Sequence, residues 1–180
     1  LVALAEAARP WGAVVDVDAP DFTRPGAMPA RIADYCRRAG QAEPSSAGAV
    51  VRTVLESLAL KYRHVLDSLE RLTGTRHEPL HIVGGGSLNR LLCQLAADAT
   101  GRVVLAGPVE ATAIGSTLMQ ALALGQLGSL AELRDIVRRS FEVTTYEPRP
   151  SAALEEAYAR FLRLVETPPA RPGASGGEQP

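Results

Sequence analysis

The residues best suited to chemistry form a segment that we call the glycine turn, Gly84-Gly85-Gly86-Ser87-Leu88-Asn89. Glycine allows the backbone to turn with positive φ, and it lets a ligand approach the main chain with no Cβ atom in the way. Ligands of open α/β sheets bind beyond the carboxyl ends of the strands, and the apolar run Leu80–Val83 just before the turn is a predicted strand. We therefore expect the turn to bind a ligand; a tight strand-to-helix turn without a ligand is the alternative.

Three familiar glycine motifs do not fit this turn. A P-loop would end in Gly-Lys-Ser/Thr, which is missing here, and a dinucleotide fingerprint would carry a third glycine where Asn89 stands. The serine nucleophile elbow also needs a glycine two residues after its serine, and Ser87 is again followed by Asn89 at that distance. Ser87 is accordingly predicted to cap a helix and not to act as a nucleophile.

The run His77-Glu78-Pro79-Leu80-His81 matches the zinc-protease pattern His-Glu-x-x-His. That chemistry requires both histidines on one face of a continuous helix. Proline disrupts a helix interior and pushes the preceding residue toward extended geometry. Since His81 also begins the predicted strand, we interpret the match as accidental and predict no metal site.

Polar residues continue into the helix predicted from Ser87 to Ala99. Asn89, about one turn into that helix, could direct its amide at a ligand, with capping or surface solvation as the alternative. Asp98 lies more than two turns further on, roughly 13 Å away at the usual helical rise, so we assign it no role in the chemistry. Cys93 lies among leucines and alanines, where a buried, inert thiol is expected.

The elements that would position the turn alternate regularly. After the strand Leu80–Val83 and the helix come a second strand, Val103–Leu105, and a helix from Glu110 to Leu124. Strands and helices in alternation with short connections are typical of a parallel sheet covered by helices. The alternating run Phe141–Tyr146 is predicted as an edge strand. Small residues from Glu110 to Ser116 favour close packing against a neighbour, with a pocket lining as the alternative.

The remaining chain is predicted to be mainly helical. The longest helix follows Ser45 and Ser46, ends at Thr73-Gly74, and is expected to place Glu56 on its polar side. We also predict helices over Leu1–Arg9, Ala30–Ala39, Ser129–Arg139 and Ser151–Val165, a strand over Ala13–Val17, and a disordered tail over residues 167–180.

Composition excludes several classes of partner. A net charge of −1 and an aromatic content of 4% argue against nucleic acid, and no long apolar run predicts a membrane span. The two cysteines, Cys36 and Cys93, have no ligand or disulfide spacing, which suits the reducing cytoplasm. The balanced charge and the low aromatic content also lead us to expect a small-molecule partner. Leu1 stands where an initiator Met would be, so we expect the first helix to be cut from a longer chain.

Two segments carry a family resemblance: the run from His81 through the glycine turn to Gly101, and Ala106-Gly107-Pro108-Val109-Glu110-Ala111, the more discriminating of the two. Together they closely resemble the C-terminal domain of the FGGY carbohydrate kinases. Ser57-Leu58-Ala59-Leu60-Lys61-Tyr62 and the loop Asp21–Pro29 fit as well, so the resemblance extends from about Val17 to Pro148. Cys93 and Ser116 stand where relatives often carry Asn.

The resemblance implies an actin-like, ribonuclease H-like ATPase fold of the α/β class, present in part, with helices packed on a mixed sheet. By motif position, Gly85 and Asn89 resemble the family's adenine-side contacts with ATP, and Gly84 and Gly86 shape the turn. Residues 1–166 would form the nucleotide-side domain, and the N-terminal sugar-binding domain would be absent together with the catalytic aspartate and the phosphate-binding turns.

The resemblance further implies ATP/ADP, Mg²⁺ held mainly through the phosphates and the absent domain, and a ketose sugar as partners. No residue of this chain fits the role of catalytic base, so the fragment alone is expected to be inactive. L-rhamnulose is the first candidate substrate. The alternatives are another family member that acts on xylulose, fuculose or glycerol, and a non-catalytic actin-like module that binds nucleotide.

Overall fold

The computed structural model describes residues 1–170 of the chain. In chain order its elements are α1 (Val2–Ala7), α2 (Met28–Arg38), α3 (Ala47–Thr73), β1 (Leu80–Ile82), α4 (Arg90–Thr100), β2 (Val104–Ala106), α5 (Ala111–Ala123), α6 (Leu130–Ser140), β3 (Thr144–Tyr146) and α7 (Ala152–Glu166). Short 3₁₀ turns cover Pro20–Phe22 and Gly84–Leu88. The chain forms two compact units: Leu1–His64 with the described residues from Pro150 onward, and Val65–Arg149.

The first unit has an aromatic and aliphatic core, whose largest side chains without solvent exposure include Tyr35, Leu60, Leu154 and Phe161. Helices α3 and α7 are linked at its surface. The guanidinium of Arg63 lies 4.0 Å from the ring centroid of Tyr158 and donates a 2.7 Å hydrogen bond to Glu155. These contacts combine cation–π attraction with an ion pair, and they hold the two helices together.

The prediction of a strand over residues 13–17 is wrong, because this segment pairs with side chains and not with another strand. The N–H of Val14 donates to Gln41 Oε1 at 3.0 Å, and Gln41 Nε2 donates back to the carbonyl of Val14 at 2.7 Å. The N–H of Val15 donates to Ser57 Oγ at 2.9 Å. A buried extended segment must have its backbone groups bonded, and here two polar side chains provide the partners that a neighbouring strand would otherwise supply.

The long helix α3 has the predicted length but not the predicted faces. Glu56, expected on the polar side, is 1% exposed, whereas the apolar Leu72 near the end of the same helix is 84% exposed. Glu56 is tolerated inside because its carboxylate accepts from Arg52 Nε at 2.7 Å and from the N–H of Trp11 at 2.9 Å. Burial of a charge that is paired and hydrogen-bonded overrides the pattern that periodicity predicts.

The second unit contains a three-stranded mixed sheet in the order β1-β2-β3. Strand β1 runs parallel to β2, with Ile82 opposite Ala106, and β3 runs antiparallel to β2 at the other edge. Helix α4 covers one face, and its Cys93, Ala96 and Ala97 form a buried cluster with β2. The predicted alternation of strands and helices and the predicted edge strand are confirmed, and the α/β class with them.

Helix ends follow local sequence signals closely. Gly40, Gly74 and Gly101 follow helices α2, α3 and α4 with φ between 63° and 67°, the left-handed conformation that glycine adopts without strain. Helix α7 begins where predicted, and Ser151 Oγ accepts from the N–H of Leu154 at 3.2 Å. Helix α4 is the exception: it begins at Arg90 and not at Ser87, because the preceding residues form the 3₁₀ turn.

After α7 the described chain continues to Ala170, and the carbonyls of Pro169 and Ala170 accept hydrogen bonds from Arg38. The rest of the tail predicted over residues 167–180 lies outside the described residues. Within residues 1–170, no helix combines the length and the apolar composition needed to cross a membrane.

Candidate functional site

The glycine turn lies between β1 and α4, beside the turn that follows β2. The N–H of Gly84 donates to the carbonyl of Pro108 at 3.1 Å, and the N–H of Gly107 donates to the carbonyl of Ile82 at 2.8 Å. Because β1 and β2 are parallel, both turns lie at the carboxyl end of the sheet. Two backbone hydrogen bonds therefore fix the glycine turn against the segment Gly107–Val109.

The three glycines are not equivalent. Gly84 has φ +73°, so its own backbone conformation requires a glycine. Gly85 has no such constraint, and a Cβ atom built on it would have no other atom within 4 Å. At Gly86 a Cβ atom would meet Ile82 Cγ2 at 3.6 Å, which is ordinary van der Waals contact. Only Gly84 is thus explained by the described chain itself.

Asn89 is the N-cap of α4. The prediction that it lies about one turn inside the helix is therefore wrong. Its Oδ1 accepts from the N–H of Leu92 at 3.1 Å, which satisfies one of the free donors of the first helical turn. The capping alternative for this residue is therefore correct as far as the oxygen is concerned. This capping bond uses only the oxygen, so the NH₂ group of the same amide is a donor that the cap does not need.

Ser87 does not cap the helix, contrary to the prediction, because its Oγ donates to the carbonyl of Gly84 at 2.7 Å and closes the 3₁₀ turn. Cys93 lies beneath the turn, with its Sγ 3.8 Å from the carbonyl oxygens of Gly86 and Ser87. It has no solvent exposure, and burial raises the pKa of its thiol. The expectation of a buried thiol is confirmed, and its lack of reactivity stays a prediction.

Asp98 makes no contact with the turn among the hydrogen bonds described, and it stabilises the fold instead. Its Oδ1 accepts from Gln94 Nε2 at 2.8 Å and from the N–H of Arg149 at 2.8 Å. Gln94 also donates to the carbonyl of Glu147 at 2.8 Å. These three hydrogen bonds attach the segment after β3 to helix α4, so they stabilise the helix that begins at the glycine turn.

Exposed apolar side chains lie in the turn and in the segments beside it: Val83, Leu88 and Val109 are 50%, 69% and 37% exposed. The reasoning from sequence gave no site role to Val109 or to its neighbours Gly107 and Pro108. The sequence does contain a feature that points to this segment: it directly follows the second predicted strand, and turns that follow neighbouring parallel strands meet at one edge of the sheet.

No metal ligand set is present within residues 1–170, where no group of three His, Cys, Asp or Glu side chains could hold an ion. The match to the zinc-protease pattern does not form a helix, because His81 lies in strand β1 and His77 in the preceding loop.

Comparisons with known proteins agree on one family. A model of the FGGY family of carbohydrate kinases, C-terminal domain, matches residues 1–124. The chain is 41% identical over 165 residues to the rhamnulokinase of Bacteroides thetaiotaomicron, covering 92% of this chain and 34% of that protein. It is 39% identical over 166 residues to the rhamnulokinase of Enterococcus faecalis, with coverages of 91% and 34%. The chain thus spans about a third of the length of these curated relatives.

Solved structures give the same result for the fold. Plasmodium falciparum glycerol kinase with ADP matches at a TM-score of 0.63 and 17% identity, covering 92% of this chain and 32% of that one. The xylulose kinase from Rhodospirillum rubrum matches at a TM-score of 0.51 and 26% identity, with coverages of 71% and 26%. The predicted actin-like ATPase fold, present in part, is therefore confirmed. The chain belongs to the FGGY family of carbohydrate kinases, and residues 1–124 match the C-terminal domain of that family.

Proposed function

We propose that this chain is the nucleotide-side part of an ATP-dependent sugar kinase, in which Gly84, Gly85, Gly86 and Asn89 bind the adenine side of ATP. The observation that carries the proposal is Gly85. Its φ is not in the left-handed region and nothing lies within 4 Å of its Cβ position, so the fold has no need for glycine there. Close approach of a ligand to the main chain supplies the missing reason.

Asn89 supports the same site because the capping bond fixes its amide. With Oδ1 held by the N–H of Leu92, the NH₂ group is presented as a donor next to the turn. Donors of this kind suit the ring nitrogens of a purine or the oxygens of a ribose. The exposed apolar side chains of Val83, Leu88 and Val109 offer contact area for a flat, uncharged base.

The chemistry of the turn also indicates which end of ATP it would hold. No residue from Gly84 to Asn89 carries a charge, and the lysine that grips phosphates in a P-loop is missing. Phosphoryl transfer requires a group that orients the attacking hydroxyl and positive charge, including Mg²⁺, that neutralises the phosphates. We assign those tasks, and the sugar, to the part of the kinase outside this chain.

For the sugar, we propose L-rhamnulose. The support is that the two rhamnulokinases are 41% and 39% identical to this chain, against 17% and 26% for the glycerol and xylulose kinases. A substrate panel of L-rhamnulose, xylulose, fuculose and glycerol on the complete enzyme tests this choice. We also propose a cytoplasmic location, because both cysteines are free thiols.

A chimaera tests the nucleotide site. In it, this chain replaces the matching 165 residues of the Bacteroides thetaiotaomicron rhamnulokinase. We expect Gly85→Val to raise the KM for ATP at least about tenfold, or about 1.4 kcal/mol, because the added side chain occupies ligand space. The KM for the sugar should stay within about twofold of its value in the unsubstituted chimaera, because the substitution weakens nucleotide binding and not sugar binding.

The matched control is Gly128→Val in the same unit. A Cβ atom at Gly128 has only an ordinary contact, 3.5 Å to Glu132 Oε2, and lies outside the glycine turn. The control should leave both KM values unchanged. If Gly85→Val behaves like the control, the glycine turn is not the nucleotide site. A chimaera that binds ATP but has no kinase activity would instead favour the non-catalytic alternative.

A further inference from the structure

Gly107 lies between β1 and the segment that leads into β3, at the end of the sheet where the glycine turn begins. It directly follows β2, and its N–H donates to the carbonyl of Ile82 in β1 at 2.8 Å. The direction that a side chain would take leads to the carbonyl oxygen of Glu142, two residues before β3. Gly107 is itself buried, so its main chain fills a gap that is bounded by backbone on two sides.

Two properties of Gly107 exclude a side chain at this position. Its φ is +118°, a conformation that residues with a Cβ atom rarely adopt. A Cβ atom built on it would also lie 2.9 Å from the carbonyl oxygen of Glu142, well inside normal van der Waals contact. That oxygen belongs to the backbone and cannot rotate away as the end of a flexible side chain could. Any side chain at position 107 must therefore displace the segment Gly107–Val109.

A displacement of this segment would reach the glycine turn through hydrogen bonds. The carbonyl of Pro108, the residue after Gly107, accepts from the N–H of Gly84 at 3.1 Å. The carbonyl of Gly84 in turn accepts from Ser87 Oγ at 2.7 Å, and this bond closes the 3₁₀ turn. A side chain at position 107 would thus move the acceptor that fixes the first residue of the glycine turn.

We propose that Gly107 is a positioning residue for nucleotide binding: it touches no ligand, and it holds Gly84 and the rest of the glycine turn where the nucleotide requires them. This inference rests on the proposed function, since it assumes that the turn binds ATP. Its role differs from that of Gly85, where the fold itself leaves room for a side chain. A small shift is sufficient, because misplacement of binding groups by about 1 Å can cost about a hundredfold in rate.

Gly107→Ala in the chimaera tests the proposal through KM and kcat. We expect the KM for ATP to rise about tenfold, and the KM for the sugar to stay within about twofold of its value in the unsubstituted chimaera. A merely structural role predicts a different pattern, because an unfolded fraction of the enzyme lowers the apparent kcat and leaves both KM values unchanged. The KM for ATP therefore reports on the folded molecules alone.

The matched control is Gly101→Ala, which strains the backbone of the same unit without moving the glycine turn. Gly101 follows α4 with φ +63°, and no atom lies within 4 Å of its Cβ position. We expect the control to lower the melting temperature and to leave the KM for ATP unchanged. The positioning role would be wrong if Gly107→Ala changed only the apparent kcat, or if it raised the KM for ATP and the KM for the sugar equally.

Ser87→Ala provides a second test if Gly107→Ala does not fold. It removes the hydroxyl that binds the carbonyl of Gly84, and it leaves the backbone at Gly107 unchanged. The loss of one hydrogen bond is small enough for the chimaera to remain folded, and it should raise the KM for ATP about twofold to tenfold. An unchanged KM would show that the hydrogen bonds of the turn do not affect nucleotide binding, and it would overturn the proposal.

Gly85→Val distinguishes failure of this inference from failure of the proposed function. If Gly85→Val raises the KM for ATP and Gly107→Ala does not, the nucleotide site stays and the positioning role is wrong. If neither variant raises the KM for ATP, the proposed nucleotide site is wrong, and the positioning role is wrong with it.

Discussion

Substitutions of Asn89 test its role in capping α4 and its proposed role in nucleotide binding separately. The amide has two ends with different partners: Oδ1 caps α4 through the N–H of Leu92 at 3.1 Å, and the NH₂ group is the proposed donor to the nucleotide. Asn89→Asp keeps the capping oxygen and removes the donor. Asn89→Ala removes both.

The expected magnitudes follow from these partners. Loss of an N-cap costs about 1 kcal/mol, which lowers the melting temperature of a domain of this size by about 2–4 °C, so Asn89→Ala should show that loss. Asp caps as well as Asn, and its charge is favourable at a helix N-terminus, so Asn89→Asp should be at least as stable as the original chain. For the nucleotide, a lost donor that leaves an acceptor facing a carboxylate costs about 1–3 kcal/mol, or roughly 5- to 150-fold in affinity.

Urea unfolding of the 180-residue chain measures the first effect, and the KM for ATP of the chimaera measures the second. We expect Asn89→Asp to lose nucleotide affinity without losing stability. An unchanged KM would show that the NH₂ group does not contact ATP. A loss of stability as large as that of Asn89→Ala would show that the oxygen is not the cap.

Two further predictions concern the fold. Burial raises the pKa of Glu56 above its ordinary value of 4.5 even though Arg52 and the N–H of Trp11 bind the carboxylate. The folded state therefore holds this proton more tightly than the unfolded state, and the contribution of Glu56 to stability declines as pH rises above 4.5. The stability of Glu56→Gln relative to the original chain should accordingly improve between pH 4 and pH 7 in urea titrations, and a decline would show that the ion pair outweighs burial. Gly84→Ala should cost about 1–2 kcal/mol because of its φ of +73°, whereas Gly85→Ala should stay within about 0.5 kcal/mol, and equal losses would contradict the distinction between the two glycines.

Elements with local signals could be predicted from the sequence. The N-cap of α7 at Ser151 and the glycines that end α2, α3 and α4 lie within one turn of the residues they affect, so the relevant chemistry is contiguous. The strand-helix alternation of the second unit has the same property, because each periodic segment carries its own pattern.

The wrong predictions involve residues whose hydrogen-bond partners are distant in sequence. The segment 13–17 has the β-branched composition of a strand, but its hydrogen bonds go to Gln41 and Ser57, which are 27 and 42 residues away from their partners. The buried carboxylate of Glu56 in α3 accepts a hydrogen bond from the N–H of Trp11, which lies 45 residues earlier in the chain. Periodicity contains no information about such pairs, so it assigns a buried carboxylate to the polar face.

The predicted start of α4 at Ser87 was wrong for a local reason. Three glycines have little preference for the α-helix, and a serine hydroxyl that donates to the carbonyl of Gly84 stabilises a tighter 3₁₀ turn in their place. The cap consequently moved from Ser87 to Asn89. That shift matters for the site, because a residue at the N-cap is held by its own side-chain bond, whereas a residue inside the helix would depend on its rotamer alone.

The adenine-side role of Gly85 and Asn89 came from family resemblance and stays a prediction, yet the structure supplies an independent criterion for it. A glycine retained by the fold has either a left-handed φ or a close neighbour, as Gly84 and Gly107 do. Gly85 has neither, and it lies in a turn at the carboxyl end of the sheet, where ligands of α/β folds bind, whereas the control position Gly128 lies outside that turn. Nucleotide kinetics of Gly85→Val and Gly128→Val in one chimaera therefore distinguish a glycine that a ligand requires from one that neither the fold nor the nucleotide requires.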